Sequence, residues 1–476
     1  MDFSKEKFKT LVHKSLNIIE NWYESTLRKN KIYHNNKVKD IKRLFNITKD
    51  NKSIDPEKIL DHIGQHLLHN SNFNPSPNYY GYITGGGNQI GIIAEFLKSA
   101  LNQNNLKWHS APANTEIEKI VIRWISDFIG YEKNCGGVLV SGGSIANLMN
   151  LAVMRKIKGD NKINVRGIYG TQKMRVYVSK EAHSSIDKGM DLLGLGSENL
   201  IKINTCREFK IDLLLLENKI EEDLKKGHVP IGIIGIAGTT NTGTVDPLKE
   251  LGKIARKFNL WYMIDAAYGG PASKVRKNLF AGIESADSLL INPHKWFFVP
   301  FEVACVIVKN KKHLKDTFSL VPEYLRGGSK DNNRDDLMNY NIQLSKDFKA
   351  LKVWMTIKTY GVQKLKKAII NDINMAKYAY KLVVSSEKFE PIHKPELSIF
   401  CFQYVSQDNV ISKDTLNKKI IDLIEEDGRV FLSGTKIRNQ NVLRINCINH
   451  RRTKKDIDFL FKILEEIGLK SEKLLR

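Results

Sequence analysis

The chain is poor in cysteine, with five in 476 residues: Cys135, Cys206, Cys305, Cys401 and Cys447. The number is odd, and no two stand at a metal-ligand or redox spacing. That excludes a disulfide framework and a thiolate metal cluster, and it fits free thiols in a reducing compartment. Long apolar runs are also missing, and none reaches the roughly 20 residues of a bilayer span. The start, Met1-Asp2-Phe3-Ser4-Lys5-Glu6-Lys7, is charged and has no apolar signal-peptide core. These absences predict a soluble, cytoplasmic protein with no membrane partner and no metal. Acidic residues are in deficit, 52 against 75 Lys and Arg, for a formal charge of +23. The lysines are spread along the whole chain, and dense patches such as 309–315 are short and interrupted. A dispersed excess of this kind reads as a bias toward Lys, Asn and Ile codons, so no nucleic acid is expected as a partner.

What is present is ample core material, 42% apolar residues, in a length that implies more than one domain. Residues 1 to about 70 read as amphipathic helix, with Phe8, Leu11, Val12, Leu16 and Ile19 at helical spacing. Two prolines and four asparagines in 70–78 mark a linker. Helices are predicted over 89–103 and 115–129, the second with Thr115 and Glu118 spaced as a capping box. From 136 to 309 apolar strands (138–140, 174–178, 229–236, 260–264, 286–291, 304–308) alternate with helices (144–158, 184–193, 212–226, 247–258). Asp246-Pro247 reads as an acceptor cap with proline in the first turn. Such alternation predicts an α/β fold on a mostly parallel sheet covered on both faces. A helix around 347–360 then leads to a smaller region of helix and strand, with strands at 430–432 and 442–447. The expected division is a helical N-terminal arm, 1–78, a large domain, 79–350, and a C-terminal α+β domain, 351–476.

Four strand ends carry chemistry. Asn292-Pro293-His294-Lys295-Trp296 follows the buried-strand pattern Ser288-Leu289-Leu290-Ile291. A lysine there, ahead of Trp296, Phe297 and Phe298, is held in an apolar setting that disfavours its ammonium, leaving a nucleophilic amine for an aldehyde. Ser141-Gly142-Gly143-Ser144 joins a strand to a helix start, where free N–H groups and the dipole attract an anion. His183 follows the 174–178 strand, near the carboxyl edge of the sheet, where parallel sheets bind ligands. Asp265 ends another strand, and a buried carboxylate there needs a cationic partner such as a protonated pyridine nitrogen. Ala267 beside it is small enough for a flat ring, and Thr239 stands in a threonine-rich turn able to hydrogen-bond that ring or Asp265. An aldehyde, an anionic group and a pyridine together describe pyridoxal phosphate.

The order of these segments resembles the large domain of fold-type I pyridoxal-phosphate enzymes. The Asn292–Trp296 run, with Asp265-Ala266-Ala267-Tyr268-Gly269, is similar to the group II amino-acid decarboxylases, which act on aromatic amino acids, histidine, glutamate or diaminobutyrate. Supporting stretches lie at 108–118, at Leu351-Lys352-Val353-Trp354 and at Val442-Leu443-Arg444, so the likeness covers nearly the whole chain. It implies decarboxylation of an L-amino acid to the amine and CO2. It also implies a homodimer with shared active sites. By position, Lys295 should form the covalent imine with the cofactor, Asp265 should meet the pyridine nitrogen, and His183 and Ala267 should flank the ring. Gly143, Ser144 and Asn292 should hold the phosphate, with His294 close by.

The resemblance further implies a loop whose tyrosine delivers a proton to Cα. Residues 321–344 look like the stretch that holds it, with Tyr324 the candidate donor and Tyr340 the second. Counting back from Leu351-Lys352-Val353-Trp354 instead places Leu337 there. Relatives with phenylalanine at the donor position tend to be aldehyde synthases, so a missing tyrosine reopens the reaction type, and that reaction, or carbon–carbon cleavage, stays the alternative on this fold. A basic nucleic-acid-binding protein without catalysis is the remote one. The side-chain pocket should involve Tyr82, Ile83, Thr84 and Leu106. Phenylalanines are usual at two of these positions and proline at a third, which weakens an aromatic assignment. Ser345-Lys346-Asp347-Phe348-Lys349 replaces a usual arginine-rich stretch, and Arg444 is read as structural.

Overall fold

The structure is a computed structural model and describes residues 1–28, 31–46, 53–320, 334–406 and 411–476. The chain gathers into two compact units. The larger comprises 83–377 and 393–400, and the smaller comprises 1–82, 378–392 and 401–476.

The larger unit is built on seven strands: β1 Gly136–Val140, β2 Met174–Ser179, β3 Leu200–Ile203, β4 Val229–Ile236, β5 Trp261–Asp265, β6 Ser288–Ile291 and β7 Ala304–Val308. Their order is β1-β7-β6-β5-β4-β2-β3. β7 runs antiparallel to both neighbours, and the pairings from β6 to β3 are parallel. The inner strands read as near-continuous apolar runs because helices cover both faces of such a sheet. All residues of β5, β6 and β7 are buried. Helices Ser185–Leu192, Leu213–Lys225 and Leu248–Lys257 lie where the pattern put them, within a residue or two, and the one expected over 144–158 is Gly143–Met154 continued by a π-helical turn, Arg155–Gly159. β3 was not anticipated. It has four residues, and its Lys202 reaches out to Asp187 at 2.6 Å, so neither length nor alternation marks it.

Two expected caps are not caps. The helix Pro112–Ile129 begins three residues before Thr115, because proline's fixed φ suits the first turn. Thr115 Oγ1 donates back to the Ala111 carbonyl at 2.9 Å. Glu118 is wholly buried and pairs with Lys346, whose Nζ donates to Oε1 at 2.6 Å and also contacts Oε2. The same carboxylate accepts the Leu139 N–H of β1 at 2.9 Å. The lysine at the start of 346–349 thus meets an internal carboxylate. Asp246 likewise caps no helix: its two oxygens accept the backbone N–H groups of Ile211 and Ile236, each at 2.9 Å. Burial pushes its carboxyl up to about 6, against the pull of those two bonds. The helix expected around 347–360 runs Ala350–Val384, interrupted at Gly361, whose φ of 67° is non-helical.

A second sheet, in the smaller unit apart from Ile399 and Phe400, comprises β8 Phe389–Pro391, β9 Ile399–Tyr404, β10 Ser433–Ile437 and β11 Gln440–Asn446, in the order β10-β11-β9-β8. The strand expected at 430–432 is displaced to β10; Phe431 makes only a single bridge, to Tyr79. The proline-rich stretch 70–78 is pinned rather than free. Asn449 donates to the Ser76 carbonyl at 2.8 Å. Arg452, 2% exposed, donates to the carbonyls of Pro77 (2.7 Å), Tyr79 (2.8 Å) and Asn446 (2.9 Å). Its guanidinium also lies 3.9 Å over the Tyr80 ring. Arg444 donates to Ser433 Oγ at 3.0 Å and the Tyr82 carbonyl at 3.2 Å, in keeping with a structural role. Among the described residues no helix is long and apolar enough to cross a membrane. No group of three or more His, Cys, Asp or Glu among them could hold a metal ion.

Candidate active site

A cavity of about 190 Å³ opens at the carboxyl ends of the parallel strands in the larger unit. Gly143, Ser144, His183, Asp265, Ala267, Asn292 and Lys295 line it, together with Ile83, Asn147, Ser185, Ile236, Gly238, Thr240 and Tyr268. Seven residues singled out from different parts of the sequence therefore meet in one place.

Lys295 sits in the short helix Pro293–Trp296 that follows β6. Trp296, Phe297 and Phe298 behind it are all buried. The Trp296 ring stacks on Tyr268 at 5.0 Å between centroids, and its Nε1 donates to Asp372 at 2.8 Å, which fixes the aromatic floor next to the lysine. On the other side the backbone of Gly85 packs against the lysine's own main chain. A Cβ at Gly85 would stand 2.2 Å from the Lys295 carbonyl oxygen, so only glycine fits.

Asp265 closes β5 and is 7% exposed. Its Oδ1 accepts the Ala267 N–H at 3.1 Å, and its Oδ2 accepts from Asn147 Nδ2 at 3.1 Å. His183 faces the cavity opening. Its Nδ1 lies 2.8 Å from Ser185 Oγ and accepts the Ser185 N–H at 3.1 Å. The protein packed around the ring pushes its pKa below the ordinary range; nearby Asp265 opposes this, while Lys295 and Lys188 add to it.

The start of helix Gly143–Met154 also lies at the cavity. No side chain caps that helix, so its first N–H groups remain available at the cavity. A Cβ on Gly143 would approach Asn292 Nδ2 to 2.9 Å, a closeness that suits glycine. Asn292 is 4% exposed, and its buried Oδ1 has no hydrogen-bond partner among the described residues. A helix N-terminus, an asparagine amide with a buried unpartnered oxygen, a carboxylate at one wall and a lysine at another suit a flat molecule with a phosphate and a basic ring nitrogen.

Other predicted residues fall elsewhere. His294 is buried and turned away from the cavity: its Nδ1 lies 2.7 Å from the Val303 carbonyl, and its ring packs on Phe301. Burial pushes its pKa down to about 3, with the Lys295 charge adding to the effect. Thr239 spends its hydroxyl within its own turn, against Thr242 Oγ1 at 2.8 Å and the Thr244 N–H at 3.1 Å, and its neighbour Thr240 lines the cavity instead. Leu106 contributes its carbonyl to the Met338 N–H at 3.0 Å, and neither it nor Thr84 is on the cavity wall. Tyr82 belongs to the smaller unit and is 61% exposed. Tyr324 lies outside the described residues. Tyr340 is 6% exposed and donates to Asp335 Oδ1 at 2.8 Å, with Lys311 over its ring at 4.9 Å. Leu337 is 2% exposed. Asn147 and Ser185 were missed. The available signals were the four-residue step from Gly143 to Asn147, which keeps one helix face, and the two-residue step from His183 to Ser185.

The pyridoxal-dependent decarboxylase conserved domain matches residues 39–405. Aromatic-L-amino-acid decarboxylase of Bacillus atrophaeus is 32% identical over 427 residues, 87% of each chain. The 4-hydroxyphenylacetaldehyde synthase of Rhodiola rosea is 30% identical over 421 residues, 86% of this chain and 84% of that one. The crystal structure of Oryza sativa TDC with PLP and tryptamine aligns at a TM-score of 0.93 over 99% of both chains, at 22% identity, a likeness of fold. The chain belongs to the pyridoxal-dependent decarboxylase family: it is a pyridoxal-phosphate-dependent enzyme that removes CO2 from an amino acid.

Proposed function

We propose that the substrate is an L-amino acid with an uncharged, largely apolar side chain, aromatic ones included, and that the product is the amine. The observation that carries this reading is the convergence of Lys295, Asp265, His183 and the Gly143–Asn292 contact on one cavity. Asp265 and Lys295 are the only acidic and basic side chains on its described wall, besides His183, so nothing there is placed to pair with a second substrate charge. Ile83 supplies an apolar surface. The relatives named for aromatic amino acids support the same class.

The cofactor supplies an aldehyde for amine exchange and a ring that draws electrons from the bond to the departing carboxylate. The chain's own residues do the rest. Lys295 offers its amine to the aldehyde. Asp265, its two oxygens oriented by Ala267 and Asn147, holds a proton at the ring nitrogen by charge. Gly143, Ser144 and Asn292 would receive the phosphate, and His183 and Ala267 would flank the ring. Exposed apolar residues on helix Gln89–Leu101, with Ile93 51%, Phe96 54% and Leu101 54% exposed, support a homodimer. The five free cysteines fit a cytoplasmic setting.

A second reading, oxidative release of an aldehyde after CO2 loss, is favoured by one feature. Tyr340 is engaged with Asp335, and Leu337, at the counted register, has no acidic proton to transfer. Assaying full-length protein with pyridoxal phosphate against the standard amino acids separates the two. Amine with CO2 and no oxygen uptake supports the first; aldehyde, ammonia and peroxide support the second. Borohydride trapping and peptide mapping should tag Lys295, and an untagged Lys295 in cofactor-saturated enzyme would overturn both.

A further inference from the structure

The helix Gly143–Met154 sends a second polar group toward the site one turn beyond its start. Asn147 is 2% exposed and lies in a run of apolar neighbours. Its amide nitrogen donates twice, to Asp265 Oδ2 at 3.1 Å and to Ser185 Oγ at 2.9 Å. Its Oδ1 is buried and has no partner among the described residues. The opposite amide orientation would set that oxygen against the Asp265 carboxylate, two acceptors in contact. The charge on Asp265 therefore decides which way Asn147 faces.

That choice propagates. Ser185 Oγ receives a hydrogen from Asn147, so its own hydrogen is free to go to His183 Nδ1, 2.8 Å away. The Ser185 backbone N–H points at the same nitrogen from 3.1 Å. A hydrogen on Nδ1 would face that N–H head-on. Nδ1 is thus an acceptor, and the ring's proton sits on Nε2.

We infer that Asn147 and Ser185 are positioning residues that link His183 to the Asp265 carboxylate and, together with the Ser185 N–H, hold the ring neutral with its proton on Nε2, so that His183 meets the bound amino acid as a neutral Nε2–H donor. The chain of contacts runs Asp265, Asn147, Ser185, His183. The charged groups facing the imidazole are Asp265, Lys295 and Lys188, with burial as the main influence holding it neutral. The role in catalysis rests on the decarboxylase reading above; the tautomer does not, and can be tested without substrate.

The test labels the histidine side-chain nitrogens of the full-length chain and records their spectra with and without pyridoxal phosphate, with His183→Gln to assign the signal. Wild type should show Nδ1 as a bare acceptor and Nε2 protonated. Asn147→Leu keeps the volume and removes both donors. It should shift the His183 titration upward, because Ser185 Oγ, relieved of the Asn147 hydrogen, can then accept from a protonated Nδ1. It should also lower kcat/KM by about tenfold or more with an altered pH profile. Ser185→Ala, which keeps the backbone N–H, should give a smaller change in the same direction and carries the test if Asn147→Leu does not fold. Asn147→Ser, which restores a donor, should recover part of the loss. A His183 that stays Nε2-protonated with an unshifted titration in both Asn147→Leu and Ser185→Ala would overturn the inference. An Nδ1-protonated ring in wild type would do so directly. Loss of the Lys295 trap with an intact tautomer would instead sink the functional reading alone.

Discussion

Replacing Lys346 by methionine would leave Glu118 in the interior with its balancing charge removed. The pair is 2% and 0% exposed at the side chains, so water cannot take the lysine's place. What remains for the carboxylate is the Leu139 N–H at 2.9 Å and a long contact from Asn105 Nδ2 at 3.4 Å. Breaking a buried pair by removing one partner costs about 3–5 kcal/mol, because the other charge stays desolvated. Replacing Glu118 by Gln as well removes that charge while keeping an acceptor for Leu139, so the double variant should recover at least about 2 kcal/mol of the loss. Urea unfolding of wild type, Lys346→Met, Glu118→Gln and the double variant closes the cycle. The strain should also reach the cofactor: Leu139 lies in β1, which leads directly into Ser141-Gly142-Gly143, so Lys346→Met should loosen pyridoxal-phosphate binding more than its stability loss alone explains. A single-variant loss below about 1 kcal/mol would refute the claim that this pair is sealed from solvent.

Arg452→Ala strands three carbonyls in the smaller unit and uncovers Tyr80; it should cost about 3–5 kcal/mol in the same assay, and Arg452→Lys should rescue little, since one ammonium cannot reach all three. Gly143→Ala forces Asn292 aside and should weaken cofactor affinity about tenfold or more by fluorescence titration, with the fold intact by circular dichroism. His294 is held neutral in the fold, with its pKa down to about 3 against about 6.5 when unfolded. The unfolded chain therefore binds the proton first, and this contribution to stability is complete above pH 6.5 and falls by about 1.4 kcal/mol per pH unit below it. His294→Asn should flatten that slope between pH 6.5 and 4.5 in pH-dependent unfolding.

The strands were legible because burial on both faces leaves a continuous apolar run, as in 229–236 and 304–308. β3 was not, since an edge strand with an exposed lysine resembles a turn. The caps failed for a shared reason. Glu118 and Asp246 have the spacing of helix-start residues, but distant partners claim them, and sequence separation hides such partners. Lys295, Asp265, His183 and Gly143, which share the cavity, stand at strand ends followed by polar punctuation, whereas Asn292 was singled out only through the family resemblance. Asn147 was not, because a single amide in Ala146-Asn147-Leu148-Met149 reads as a helix interior. Thr239 and Thr240 show the limit of register: adjacent hydroxyls in one turn, one folded inward and one on the cavity wall.

Gly85 bounds what can be changed nearby. Its missing side chain lets one segment of main chain lie flush on the carbonyl of Lys295, two residues from Ile83 on the wall. Attempts to reshape specificity by mutating Ile83 would act two residues from that contact. Libraries that vary Ile83 with residue 85 held as glycine should keep the lysine's backbone in place, whereas those that randomise both would confound altered selectivity with a displaced Lys295.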